Sequence, residues 1–232
     1  MKKKTVSAEL AYILSVLLLS LAVAILTSAD FGLSMIVSPA YLVSQKLGTI
    51  TFGQAEYIVQ GILFIVLCCV LKRFKPVYFA SFITGLIYGW VLDLWRSLPC
   101  FDTGVTPPDS IALWLRLVML VIGILLTSFS IALFFKTYLY PQVYDFFVKA
   151  VSLKYGIKLS KFKTAFDLTF LALSVLLTFC FFGRFVGIGW ATLVMALING
   201  SIIGFFSNLL DKHFAFTPTF PKFAAQFALE EK

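Results

Sequence analysis

The chain has 232 residues, of which 60% are hydrophobic, 17% aromatic and 13% charged, and its mean hydropathy is +0.97. A soluble domain carries about 45–50% apolar and about 25% charged residues, and one of this size could not hide so much apolar surface in a single core. Soluble enzymes, disordered tails, disulfide scaffolds and nucleic-acid binders are therefore poor readings, and the formal net charge of +8 reads as a mark of membrane orientation.

Lys2-Lys3-Lys4 precede an apolar run, Leu10–Thr27. That run exceeds the usual signal-peptide core of about 7–15 residues, so it is expected to stay as a first spanning helix. Ser38-Pro39-Ala40-Tyr41-Leu42, ending near Gly48, then predicts a short helix, with Ser as N-cap, Pro at the first position and Gly at the close. Further spans are expected at Tyr57–Leu71, Val77–Leu94 and Leu113–Phe135. Tyr140-Pro141-Gln142-Val143-Tyr144-Asp145, ending near Gly156, repeats the short-helix pattern before spans at Ala165–Phe182 and Gly187–Leu210. Each Pro-initiated segment is either an amphipathic helix resting at the interface or a partly re-entrant half-helix whose N-terminus faces a cavity. Phe214–Lys232, with Pro218 and Pro221, is a short tail too small for a domain. Helix is the only sensible spanning form, because barrel strands would alternate polar and apolar residues. The expectation is a single all-α membrane domain over 1–232, with six transmembrane helices.

The basic residues test the threading. With the N-terminus inside, fifteen of the 19 Lys and Arg fall on the inner side, Lys2, Arg73 and Lys232 among them. The four outer ones are Lys46, Arg96, Arg116 and Arg184. This alternation predicts cytosolic N- and C-termini. Cys68 and Cys69 lie in an apolar run, while Cys100 and Cys180 both fall on the outer side, where a disulfide is an open alternative. No CxxC pair or Cys/His cluster suggests a metal, and no cofactor motif appears.

A shift of 111 residues aligns the chain with itself without a gap. Glu56 falls on Asp167, Cys69 on Cys180, Arg73-Phe74 on Arg184-Phe185, Ala80 on Ala191, and Leu86-Ile87-Tyr88-Gly89 on Leu197-Ile198-Asn199-Gly200. Two repeats follow, about 8–98 and about 110–211, with a tail at 212–232. Three spans per repeat make the second enter from the opposite side, giving two inverted three-helix repeats, a plan common among secondary transporters.

Gly32-Leu33-Ser34, Ser38-Pro39 and Thr51-Phe52-Gly53-Gln54, followed by Pro141 to Asp145, Asp167 and Gly187-Ile188-Gly189-Trp190-Ala191-Thr192, resemble the YczE/YyaS/YitT group of bacterial membrane proteins. The resemblance runs from about Leu10 to Leu210 and departs at Phe79 and Lys161, where the group would carry a small residue or glycine. It implies that group's fold and a bacterial cytoplasmic (inner) membrane, and says little about chemistry.

Ionisable residues within spans default to functional hypotheses. Glu56 and Asp167 are matched in the repeat and read as gate or coupling acids, or else as interface anchors. Asp93 and Arg96 stand three apart, spacing that allows a helical pair, and join Glu56 and Asp167 as gating or coupling candidates. Asn199, beside Gly200 and Ser201, lies too deep to snorkel and is either interhelical glue or a substrate contact. Gln60, Thr84, Thr127, Ser128 and Ser130 could line a polar cavity or bond back to their own helices. Substrate-binding candidates are thus Asn199, Gln60, Ser201, Thr84, Thr127, Ser130 and the helix starts at Pro39 and Pro141. No set of acid, base and nucleophile marks an enzyme. The expected function is a permease for a small molecule or ion, in the lipid bilayer, working by alternating access between the repeats. The alternatives are a substrate-binding subunit of a larger transport complex and a non-transporting structural or regulatory protein. A homo-oligomer or a transport-complex partner is compatible with either, and nucleic acid is not an expected partner.

Overall fold

The computed structural model describes residues 3–72 and 74–227. Lys2, Arg73 and Lys232, assigned above to the inner side, lie outside the described residues, as does the Arg73 half of the aligned Arg-Phe pair. The fold is an all-α membrane fold with six helices long and apolar enough to span. These are α1 (Ala8–Ala29), α3 (Phe52–Leu71), α4 (Phe79–Arg96), α5 (Leu113–Phe134), α7 (Leu159–Phe182) and α8 (Trp190–His213). Two shorter helices, α2 (Ser38–Leu47) and α6 (Val143–Tyr155), occupy the Pro-marked segments.

Local chemistry fixes the ends. Ser7 caps α1 by accepting from the Leu10 amide. Thr51 and Gln54 form a reciprocal capping box at the start of α3. Gly48 and Gly156 close α2 and α6 with positive φ of 64° and 63°, where a side chain would be strained. Pro39 is the second residue of α2, with Val37 as N-cap, one position earlier than the Ser-Pro pattern suggests. Pro141 precedes the α6 N-cap, Gln142.

The centre of the bundle is α1 against α5. Gly123 lets α5 approach Leu26 of α1, and Ser15, Ser20, Ala22 and Ala24 are buried. Small residues suit this contact, because in lipid the attraction between helices comes from close van der Waals packing. Helix α4 packs on α1 and α8 on α5. The short helices α2 and α6 each contact both α3 and α7.

Both terminal segments lie at one end of the bundle, where Lys4–Ser7 (β1) pairs in parallel with Phe214–Thr217 (β2). Glu9 ties the two together, accepting from Tyr138 Oη at 2.8 Å and the Thr219 amide at 2.9 Å. Beyond β2 the chain turns back, and Phe227 is buried against Tyr138 and Tyr140. The described part of the tail, 214–227, is thus folded onto the bundle. The four cysteines are unpaired.

Candidate functional site

The two short helices are not alike in depth to ordinary surface helices. Gln60 is the ninth residue of α3, roughly 12 Å along a helix of roughly 30 Å. The α6 amide of Val143 donates to Gln60 Oε1 at 3.3 Å, and Gln60 Nε2 donates to Gln142 Oε1 at 3.2 Å. At its other end, Tyr155 Oη donates to the Val70 carbonyl at 2.8 Å, and Lys154 reaches the Val70 and Leu71 carbonyls. Helix α6 therefore runs alongside α3 from the middle of the bundle out to the end that carries the termini. It is a half-helix whose N-terminus is buried. On the opposite side, Tyr41 of α2 packs on Phe52 and Lys46 donates to the Phe181 carbonyl at 3.0 Å. Its N-terminal neighbour Ile36 packs into the apolar cluster built around α6, so the tips of α2 and α6 approach each other from opposite ends.

Each tip is held by the helix that opens beside it. The loop before α2 is tied to the start of α8: Leu33 N donates to the Gly187 carbonyl at 2.9 Å, and Thr192 Oγ1 to the Leu33 carbonyl at 2.7 Å. Gly32, at φ 110°, sits against Gly189, an approach that leaves no room for a Cβ. The loop before α6 is tied to α4 in the same manner, Thr84 Oγ1 donating to the Tyr140 carbonyl at 3.0 Å while sharing a hydrogen bond of 2.7 Å with Tyr12.

At the α6 tip lies the main polar cluster. Glu56 and Gln60 are both 0% exposed. Glu56 Oε2 accepts from Tyr144 Oη at 3.1 Å and from Gln60 Nε2 at 3.3 Å. Its Oε1 has no partner, nor has the hydroxyl of buried Tyr88. Interface anchoring is thus replaced by full burial, because α6 covers the face of α3 that would otherwise reach water.

The structure brings together Glu56, Gln60, Thr84 and the segment opened by Pro141. It adds Gln142, Tyr144, Tyr88 and Tyr12, which the sequence reading did not single out as site residues. Gln142 and Tyr144 stood within the quoted Pro141–Asp145 motif, and Tyr88 fell on the candidate Asn199 in the 111-residue shift; Tyr12 carried no signal, being an aromatic residue in an apolar helix. The remaining candidates lie elsewhere. Asn199 accepts from Ser128 Oγ at 2.7 Å and joins α8 to α5. Ser130 bonds back to the Leu126 carbonyl, Thr127 is buried without a partner, and Ser201 is exposed. Pro39 is buried at the tip of α2.

The helical pair that the spacing of Asp93 and Arg96 allows does not form. Asp93 turns away from Arg96 to cap α3, accepting from Thr51 Oγ1 at 2.5 Å and the Gly53 amide at 2.8 Å. Arg96 lies over the Phe52 ring, 5.7 Å from its centroid. Asp167 is 3.1 Å from Lys163, which also reaches Asp145 at 3.4 Å. At the far end from the termini, Arg116 lies 3.7 Å from Asp30. Burial raises the Asp30 carboxyl above its usual range, although Arg116 acts the other way.

At the α6 tip Glu56 and Gln60 are sealed from the surface. The crevice nearest the α2 tip, about 160 Å³ and lined by Asp30, Gly32, Leu33, Tyr41 and Gly187 among others, is too narrow for water. Among the described residues no cluster of His, Cys, Asp and Glu could hold a metal ion. Neither the curated proteins nor the solved structures compared with the chain gave a match. The family model of DUF6198, a family of unknown function, matches residues 6–208, and the chain belongs to that family.

Proposed function

We propose that the protein is a permease for a small solute or ion, working by alternating access between two inverted three-helix halves. The observation that carries this reading is the pair of half-helices, α2 and α6, buried from opposite ends with their N-termini turned toward one another. The packing supports the inversion. Exchanging α1 with α5, α2 with α6, α3 with α7 and α4 with α8 turns the α1–α4 contact into α5–α8, and the α3–α6 contact into α7–α2. Broken or short helices meeting inside inverted repeats are the usual frame for a transport site. The polar groups at the α6 tip are one carboxyl, two amides, phenols and the Thr84 hydroxyl, which is bonded to the Tyr140 carbonyl and Tyr12, so an enzymatic role forms no part of the reading.

The resemblance to the YczE/YyaS/YitT group supports the bacterial cytoplasmic membrane as the location, and the basic residues support cytosolic termini. The sealed α6 tip corresponds to an occluded state in this scheme.

The test is accessibility. Single cysteines at Ser38 and Gln142, in a cysteine-free background, are exposed to a membrane-impermeant maleimide in right-side-out and inside-out vesicles. Alternating access expects each tip to label from at least one side on a timescale of minutes. Tips that resist the reagent from both sides would overturn it. That outcome would favour the second reading, a non-transporting membrane subunit, which the sealed α6 tip and the wide apolar surfaces of α7 and α8 recommend.

A further inference from the structure

We infer that Glu56 is a proton-binding site, holding a proton while the bundle is sealed and releasing it when water reaches the tip of α6. The carboxyl meets Gln60 of α3 and Tyr144 of α6. On α4, Tyr88 is buried with its hydroxyl unpartnered, Asp93 is bonded to Thr51 and Gly53, and Arg96 lies over the Phe52 ring; Asp145 of α6 is paired with Lys163. From α2 the titratable groups are Tyr41 and Lys46; Tyr41 packs on Phe52, and Lys46 is turned to the Phe181 carbonyl. No ion pair joins Glu56 to a cation among the described residues, although Asp30, Asp109, Asp145, Asp167 and Asp211 all have one.

A bare carboxylate enclosed in this way lacks both water and a counter-charge. A proton removes the charge. Glu56 Oε2 already accepts two hydrogen bonds, while Oε1 and the Tyr88 hydroxyl have none. A protonated Oε1 carries no charge that calls for a donor, so its lack of a partner fits the neutral acid better than the anion. A metal cation fits less well. It would need about six oxygens, but the amide oxygens of Gln60 and Gln142 already accept from Val143 N and Gln60 Nε2.

The same surroundings provide for release. The first turn of α6 and the Tyr144 hydroxyl favour a negative charge once water supplies the remaining solvation. Loading transfers one proton from water to the carboxylate; release returns it, and no other bond changes. Coupling of this step to a solute rests on the permease reading; the protonation itself does not.

The experiment is infrared difference spectroscopy on the purified chain in sodium-free buffer at pH 7, wild type against Glu56→Gln. The expected result is the carbonyl stretch of one protonated carboxyl per chain, absent from the variant. Should the variant fail to fold, dicyclohexylcarbodiimide, which modifies protonated carboxyls in apolar surroundings, is applied to the wild type and the adduct mapped. The expected site is Glu56, with labelling falling at least tenfold at high pH. The inference is overturned if the spectra coincide, if the adduct maps elsewhere, or if 100 mM sodium at constant pH abolishes the band. Labelled tips without a protonated Glu56 would leave a permease lacking this site, and a protonated Glu56 with unreactive tips would remove the permease instead.

Discussion

Helices α3 and α4 meet backbone to backbone, whereas α7 and α8, their counterparts under the 111-residue shift, stand apart. Gly53 lies against the Gly89 carbonyl, so a Cβ on either would strike the backbone of the other helix. Gln60 fills the space beside Gly85, and Asp93 bonds across to the start of α3. In the second half the matching positions of Gly89 and Asp93 are Gly200 and Gly204, and both face open space. One third of the α3 span is buried, against 17% of α7 and 11% of α8. The difference shows why one half carries the polar site. A buried carboxyl needs rigid walls to hold its partners in place, and only the closed pair supplies them. The faces of α7 and α8 left bare, with Leu168, Leu176, Leu193, Leu197 and Phe205 exposed, fall to lipid or to another membrane protein.

This contrast can be broken most sharply at its glycines. Gly89→Val should cost about 3 kcal/mol, since what its side chain meets is backbone that cannot step aside. At this chain length that is a fall of about 9 °C in the Tm of the detergent-solubilised protein. Gly200→Val should change stability by less than about 0.5 kcal/mol, as expected for a surface site. Equal losses would mean that α8 is packed as tightly as α4. The next effect is smaller and has opposite signs in the two halves. Asp93→Ala removes the acceptor for Thr51 Oγ1 and the Gly53 amide, a loss of about 1 kcal/mol. Gly204→Ala, at the matched position, meets nothing and should gain about 1 kcal/mol in helix stability. Denaturant or thermal unfolding of the pair reads both, and a loss at Gly204→Ala would place a packing partner on that face.

Much of the frame was legible because apolar runs of spanning length can only be helices in lipid. The boundaries of α5 moved by a single residue, and Gly48 and Gly156 stand where the short helices close. Helix α3 began earlier than hydropathy suggests, at Phe52, because Thr51 and Gln54 cap it; hydropathy averages over a window and does not see a cap. Depth was the main thing a single chain could not reveal. Glu56 lies one turn into α3, a place from which a carboxylate would ordinarily reach the interface, and it is buried only because α6 is laid over it. Asn199, by contrast, has the depth expected of it but spends its amide oxygen on Ser128. Pairing across distant helices decides both cases, and neither pairing has a local signature. The 111-residue shift pairs Glu56 with Asp167 but says nothing about their surroundings.

Those surroundings give the smallest expected effect. Asp167 sits 3.1 Å from Lys163, one turn back on the same helix, and Lys163 has Asp145 as a second partner at 3.4 Å. The side chains are about a quarter to a third exposed, so solvent weakens the pairing and the carboxyls keep some hydration. Asp167→Asn removes one acid from a triad that retains its other ion pair. The cost should be at most about 0.5 kcal/mol, and raising the salt to molar concentration should reduce it further. Glu56→Ala, stripping the Tyr144 and Gln60 hydrogen bonds from a dry site, should cost about 2 kcal/mol and show no salt dependence, because no mobile ion reaches it. Unfolding curves of the two variants at low and high salt separate the acids: a salt-sensitive Glu56→Ala would mean that water already enters the α6 tip, and a salt-insensitive loss of 2 kcal/mol at Asp167 would mean that the second half is as closed as the first.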